Sequence, residues 1–236
     1  MRHILALLAM LCIPSTMLRA EELPEVDLLL VLAADVSSSV DDPKFALQRK
    51  GYAAAIAHKQ VVNAATSGRT GRIGLVYFEW ADPLDQHVVV DWSLIDGQSS
   101  ADTFANSLTE SPRPFKGGTA IGAALHKCMR LLDQAPFRSS RKICDVSGDG
   151  TSNRGPAVNG ARTMLVEEDI IINGLVILTS APTPYPLHTH PEGGLQKYYQ
   201  DNVIGGPGSF VLVAKSFETF AEAIRRKLIL EIASLR

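Results

Sequence analysis

The hydrophobic positions fall into short unbroken runs separated by longer stretches with helical spacing. Val26 to Ala34 is apolar almost throughout, without polar alternation, and predicts a strand buried on both faces that ends at Asp35. Asp42 and Pro43 then have the look of a helix start, and Phe45, Tyr52 and Ile56 keep one face apolar to about Ala65. Arg72 to Trp80 and His87 to Trp92 are two β-type runs whose linker, containing Asp82 and Pro83, is too short for a crossover. They are therefore expected to pair antiparallel, with 87–92 at the sheet edge. Helices are predicted over Ala101–Leu108, Ala120–Leu132 and Ala157–Glu168, and strands over 142–147, 170–178 and 209–214. Phe217, Phe220, Ile224, Leu228 and Ile232 mark a long closing helix, while four prolines make Ser180 to Gly194 a surface insertion. The alternation predicts an α/β fold: a doubly wound, mostly parallel sheet of about six strands, with one antiparallel edge strand and helices on both faces.

The first twenty residues follow different rules. Arg2 and His3 precede an apolar run from Ile4 to Ile13, then Pro14 and a short polar stretch to Ala20, the layout of a secretory signal. The run is too short to span a bilayer. The expected division is a signal peptide over 1–20 and a single domain over 21–236, periplasmic or secreted, with no stable membrane anchor after cleavage. Cys12 follows Leu11, where a lipoprotein signal would carry a small residue, and is assigned to the leader. The remaining cysteines, Cys128 and Cys144, fall at similar heights on a helix and the strand after it, which suits a disulfide or two reduced core thiols equally. With 23 Lys and Arg against 25 Asp and Glu and no basic run, the chain lacks the footprint of a nucleic-acid binder.

Chemistry collects at the predicted strand ends. Asp35, Ser37 and Ser39 form a D-x-S-x-S pattern after the first strand; Gly117-Gly118-Thr119 opens a helix; Asp149 follows the 142–147 strand within Ser147-Gly148-Asp149-Gly150. Each alone has a bland reading: a Ser-rich turn, a Thr N-cap, an Asp-Gly turn. Together they offer two carboxylates and three hydroxyls to one crevice, expected where strand order reverses between the first and fourth strands. An all-oxygen set suits a hard divalent cation, Mg²⁺ foremost, with Mn²⁺ or Ca²⁺ as alternatives, and leaves one position of an octahedral ion open.

Asp35, Ser37, Ser39, Thr119 and Asp149 resemble the metal ion-dependent adhesion site of von Willebrand factor type A domains, and the likeness extends over nearly the whole processed chain. The resemblance implies that these five side chains hold the metal directly or through water. Asp145 to Gly150, with Glu79 and Trp80, is similar to a group of exported bacterial members of that family without an assigned role. The implied function is a protein-binding module, not an enzyme, that captures a Glu or Asp carboxylate of another protein at the open metal position. Oligomeric state is not implied. A metal-dependent hydrolase using the same ion, or a domain whose metal only ties loops together, are the alternatives; the three loops supply no His or spare Glu as a base.

Other features have simpler readings. Gly150-Thr151-Ser152 resembles a subtilisin-type nucleophile segment but lacks its His motif. His188-Thr189-His190 with Glu192 is expected as a solvated loop and His126 as remote from the crevice, while Arg113 and Lys116 either steer an acidic partner across the crevice or are solvated loop charges. Trp80 is either partner-facing or packed in its turn, and Asp145 is expected to bond neighbouring loops.

Overall fold

The computed structural model describes residues 22–179 and 186–233; the leader expected over 1–20 lies outside them. The chain runs β1 (Leu29–Asp35), α1 (Asp42–Ile56), α2 (Lys59–Thr66), β2 (Ile73–Trp80), β3 (Gln86–Ile95), α3 (Gln98–Glu110), α4 (Ile121–Asp133), β4 (Lys142–Gly148), α5 (Val158–Glu167), β5 (Ile170–Ile177), α6 (Pro186–Thr189), α7 (Leu195–Asn202), β6 (Val211–Ala214) and α8 (Phe220–Ala233). The six strands lie in the order β3-β2-β1-β4-β5-β6. Only β2 and β3 pair antiparallel, so β3 is the antiparallel edge strand that the short linker predicts.

Period-two alternation within β1 sorts the core into two layers. Leu30, Leu32 and Ala34 face Tyr52, Ile56, Phe104, Phe220 and Leu228, the layer of α1, α2, α3 and α8. Val31 and Ala33 face Leu125, Cys128, Leu165 and Tyr199, the layer of α4, α5 and α7. Because β1 is sandwiched between β2 and β4, its carboxyl end lies at the reversal of strand order, where loops splay apart and leave a crevice.

The helix expected over 42–65 is two helices. Its apolar stripe changes phase: continuing from Tyr52 and Ile56 would put Lys59, Gln60 and Asn63 inward, whereas Val61, Val62 and Ala65 are the buried ones. His58 resolves the conflict by breaking the helix and capping the second part, its Nδ1 accepting from Gln60 N at 3.2 Å. The first part is capped by Asp41, one residue earlier than expected, with Asp42 and Pro43 in the first turn. The 180–194 insertion carries α6, and 180–185 lie outside the described residues.

Cys128 on α4 and Cys144 on β4 form a disulfide, with 5.9 Å between their Cα atoms and sixteen residues of separation. A closed loop of that length is worth about 3 kcal/mol in the chain-entropy account. Cys128→Ala with Cys144→Ala is expected to lower unfolding free energy by at least that amount in urea titration. The oxidised chain should also weigh two daltons less than the reduced one (~2 Da, two hydrogens).

Candidate metal site at the sheet edge

Three loops at the carboxyl edge of the sheet are laced together by their backbones. Ser38 N donates to Gly117 O (2.9 Å), joining the loop after β1 to the loop before α4. Asn153 N donates to Thr119 O and Thr119 N to Asn153 Oδ1, both 2.9 Å, joining that second loop to the one after β4. Arg113 strengthens the first joint: its Nη2 donates to Val36 O (2.7 Å) and Val40 O (2.8 Å), its Nε to Phe115 O (3.1 Å), and its Nη1 pairs with Asp42. It is therefore a mostly buried clamp, not the solvated charge that its sequence context suggests. Lys116 remains half-exposed beside Asp42.

These contacts bring the candidate donors into one place. Ser37 N donates to Asp35 Oδ1 (2.8 Å), the Ser37 and Ser39 hydroxyls are 3.1 Å apart, and Ser39 Oγ donates to Asp149 Oδ1 (2.5 Å). Thr119 and Ser39 line the same cleft of about 380 Å³, together with Gly117, Gly118, Arg154 and His188. Asp35, Ser37, Thr119 and Asp149 are buried, and Ser39 is half-exposed at the opening. Thr119 is not a helix cap: Ala120 holds the N-cap position of α4, and Thr119 lines the cleft instead.

Electrostatics make the pair of carboxylates incomplete as it stands. Asp35 Oδ2 and Asp149 Oδ2 are both buried without a hydrogen-bond partner. Burial, then the charge of Asp149, pushes the Asp35 carboxyl up to about 8. Burial also raises Asp149. Two buried carboxylates with unpaired oxygens beside three hydroxyls fit a divalent cation, which removes both the desolvation cost and the repulsion. Among the described residues no three His, Cys, Asp or Glu side chains gather as a metal cage, so the hydroxyls are essential to any such site.

Glycine makes the crevice possible at two positions. A Cβ on Gly148 would stand 2.5 Å from the Tyr199 hydroxyl and 3.0 Å from Asp35 Oδ2. One on Gly150 would stand 2.1 Å from His188 Nε2. His188 thus lies against the third loop, half-buried, with Nε2 3.1 Å from Thr119 Oγ1 and Nδ1 3.2 Å from Thr151 Oγ1. Burial holds its pKa below the ordinary imidazole value. The solvated loop expected for 188–190 is corrected accordingly: it leaves the carboxyl end of β5, the same edge as the metal loops, and folds back onto them.

One further expectation changes, that for Asp145, and the alternative left open for Trp80 is decided. Trp80 is fully buried in the α4 layer and faces no partner. Glu79 forms a buried bidentate pair with Arg49. Asp145 bonds no loop; it pairs with Lys227 of α8 at 2.6 Å inside the opposite layer. Ser152 Oγ donates to backbone oxygens of Thr119 and Arg154, and no imidazole engages it.

Residues 25–236 match the family model described as a protein of unknown function, DUF1194. The chain belongs to the DUF1194 family. No curated protein matches its sequence. Among solved structures, the DUF1194 chain is similar to the pilus adhesin SpaC of Lactobacillus rhamnosus GG, at 14% identity and TM-score 0.63, covering 91% of this chain and 31% of that one. It is similar to proximal thread matrix protein 1 of the mussel byssus, solved with a zinc-occupied MIDAS motif, at 17% identity and TM-score 0.57, covering 91% and 50%. Manganese-loaded TRAP protein of Plasmodium vivax aligns at 15% identity and TM-score 0.53, covering 86% and 73%. The chain thus spans a third to a half of the adhesin and the byssus protein. These likenesses establish the α/β fold of von Willebrand factor type A domains for this DUF1194 member.

Proposed function

We propose that this protein is an exported binding module in which Asp35, Ser37, Ser39, Thr119 and Asp149 hold a divalent cation, Mg²⁺ foremost, and the ion captures an acidic side chain of a partner protein. The observation that carries the reading is the pair of unpartnered, buried oxygens, Asp35 Oδ2 and Asp149 Oδ2, beneath a cleft walled by the Ser39 and Thr119 hydroxyls. Two carboxylates balance a dication and hydroxyls add no charge, so an ion held partly through water stays electron-poor toward an incoming anion. The exposed Arg154 on the cleft wall favours the same sign of partner. A disulfide suits an oxidising compartment, and no helix among the described residues is long and apolar enough to cross a membrane. Adhesion and matrix proteins among the similar structures accord with a binding role.

Calorimetry on the processed, chelator-stripped protein is expected to register one site for Mg²⁺ or Mn²⁺. Crosslinked pull-down from the native envelope should recover a partner that is missing when chelator is added before the crosslinker. Capture unchanged in chelator would overturn the adhesive reading.

A second reading has one observation in its favour. His188 brings to Thr119 the imidazole that the three loops lack, and a metal-dependent hydrolase would need such a base. Turnover of phosphoester or peptide substrates with Mn²⁺, lost in His188→Ala, is its test; silence across a broad panel removes it.

A further inference from the structure

Below the cleft lies a phenol that the five candidate donors do not explain. Tyr199 of α7 is fully buried, and its hydroxyl makes no hydrogen bond within the protein. Its ring is held by close packing: a Cβ on Gly174 would lie 3.0 Å from its Cδ1, and Tyr198 stands edge-on to it at 6.1 Å between centroids. A buried hydroxyl with no partner destabilises a fold, and phenylalanine would fill the same space without that cost. Packing alone therefore gives no reason for the oxygen.

The direction of the hydroxyl does. It lies 2.5 Å from the point where a Cβ on Gly148 would stand, and Asp35 Oδ2 lies 3.0 Å from that same point. The two oxygens are thus no farther apart than the sum of those distances, and no direct hydrogen bond joins them. One water with bonds of about 2.8 Å to each spans such a gap. Asp35 Oδ1 is already engaged by Ser37 N at 2.8 Å, so a restraint on Oδ2 would fix the carboxylate plane.

We propose that Tyr199 is a positioning residue of the metal site, its hydroxyl holding a water against Asp35 Oδ2 so that the carboxylate meets a cation that keeps part of its hydration shell. The inference rests on the metal-binding reading above and adds selectivity to it. Mg²⁺ dehydrates reluctantly and retains several waters, whereas Zn²⁺ accepts four ligands and depends less on ordered water. The phenol therefore favours Mg²⁺.

Tyr199→Phe removes only the oxygen and keeps the packing. The full processed chain, disulfide intact and stripped with chelator, is titrated calorimetrically with Mg²⁺ and separately with Zn²⁺, and its metal-free melting temperature is recorded. Loss of an outer-sphere partner is expected to weaken Mg²⁺ binding by about tenfold or more. Zn²⁺ binding is expected to change less than about threefold, and the metal-free melting temperature to hold or rise. A purely structural tyrosine would not separate the two ions, whatever the change in melting temperature. Unchanged Mg²⁺ affinity in Tyr199→Phe, with wild type binding normally, overturns the inference alone. So does a fall in melting temperature accompanied by equal loss of both ions. Wild type that takes up neither ion overturns the metal-binding reading and this inference with it.

Discussion

Asp149→Asn is expected to move metal binding and metal-free stability in opposite directions. The carboxylate is buried, its Oδ2 unpartnered, and its charge is a cause of the raised Asp35 pKa. Replacing it with an amide that can still accept from Ser39 Oγ keeps the local hydrogen bond and removes one of two like charges. Divalent-cation affinity should fall by about a hundredfold or more, beyond the usual cost of losing an outer-sphere partner. Unfolding free energy in chelator should rise at pH above about 8, where the wild type would carry both charges. The pH profile carries the same signature. In the folded, metal-free protein Asp35 holds its proton up to about 8, whereas the unfolded chain releases it near the ordinary carboxylate value of 3.8. The folded state binds more protons between those values, so this group's contribution is fully present below the lower value and is lost as pH rises through the higher one. Urea titrations in chelator at several pH values should show that decline. It should be shallower in Asp149→Asn and suppressed by saturating Mg²⁺ in the wild type. A chelator-treated wild type that gains stability over the same pH range would contradict the assignment.

Lys227→Met is expected to be the most destabilising single substitution away from the sheet edge. Lys227 is fully buried on α8, pairs with Asp145 Oδ1 at 2.6 Å, and reaches Glu231 one turn along the helix. Asn173 Nδ2 donates to Glu231 Oε1 at 2.9 Å, and burial followed by the Asp145 charge pushes Glu231 up to about 8. Removing the ammonium leaves two carboxylates in an apolar layer, a loss of about 3 to 5 kcal/mol. The loss should be larger at pH 9 than at pH 6, because Glu231 takes up a proton at the lower pH and relieves the repulsion. Adding Asp145→Asn and Glu231→Gln to the variant should recover most of it. Equilibrium urea unfolding of the three proteins at both pH values decides the matter.

The architecture was readable because its determinants are local. Apolar runs without alternation marked the buried parallel strands, and a linker too short to cross over forced 87–92 to the antiparallel edge. The helix break at His58 was also present in the sequence, as a phase change from Tyr52 and Ile56 to Val61, Val62 and Ala65. The loops that gather Asp35, Ser37, Ser39, Thr119 and Asp149 followed from topology, since each leaves the same edge of a doubly wound sheet. What stayed hidden depends on long-range contact. His188 sits in a proline-rich insertion whose return path nothing local specifies, although its departure from β5 placed it at that edge. Tyr199 lies on α7, a short helix that the sequence pattern did not mark, and only the glycine at 148 allows its hydroxyl so near Asp35. Asp145 and Lys227 are more than eighty residues apart, and nothing local to either one pairs them. Trp80, at a strand end, gave no sign of which face it would take.

The cystine between α4 and β4 has a consequence beyond its contribution to stability. The residue preceding the N-cap of α4 is Thr119, and the residue following β4 is Asp149, so the cross-link braces the two struts that present them. Before oxidation that brace is absent and only the apolar packing of α4 on the sheet holds the two struts together. If the five donors hold a cation as proposed, the thiol chemistry of the surroundings is then coupled to how tightly the cation is held.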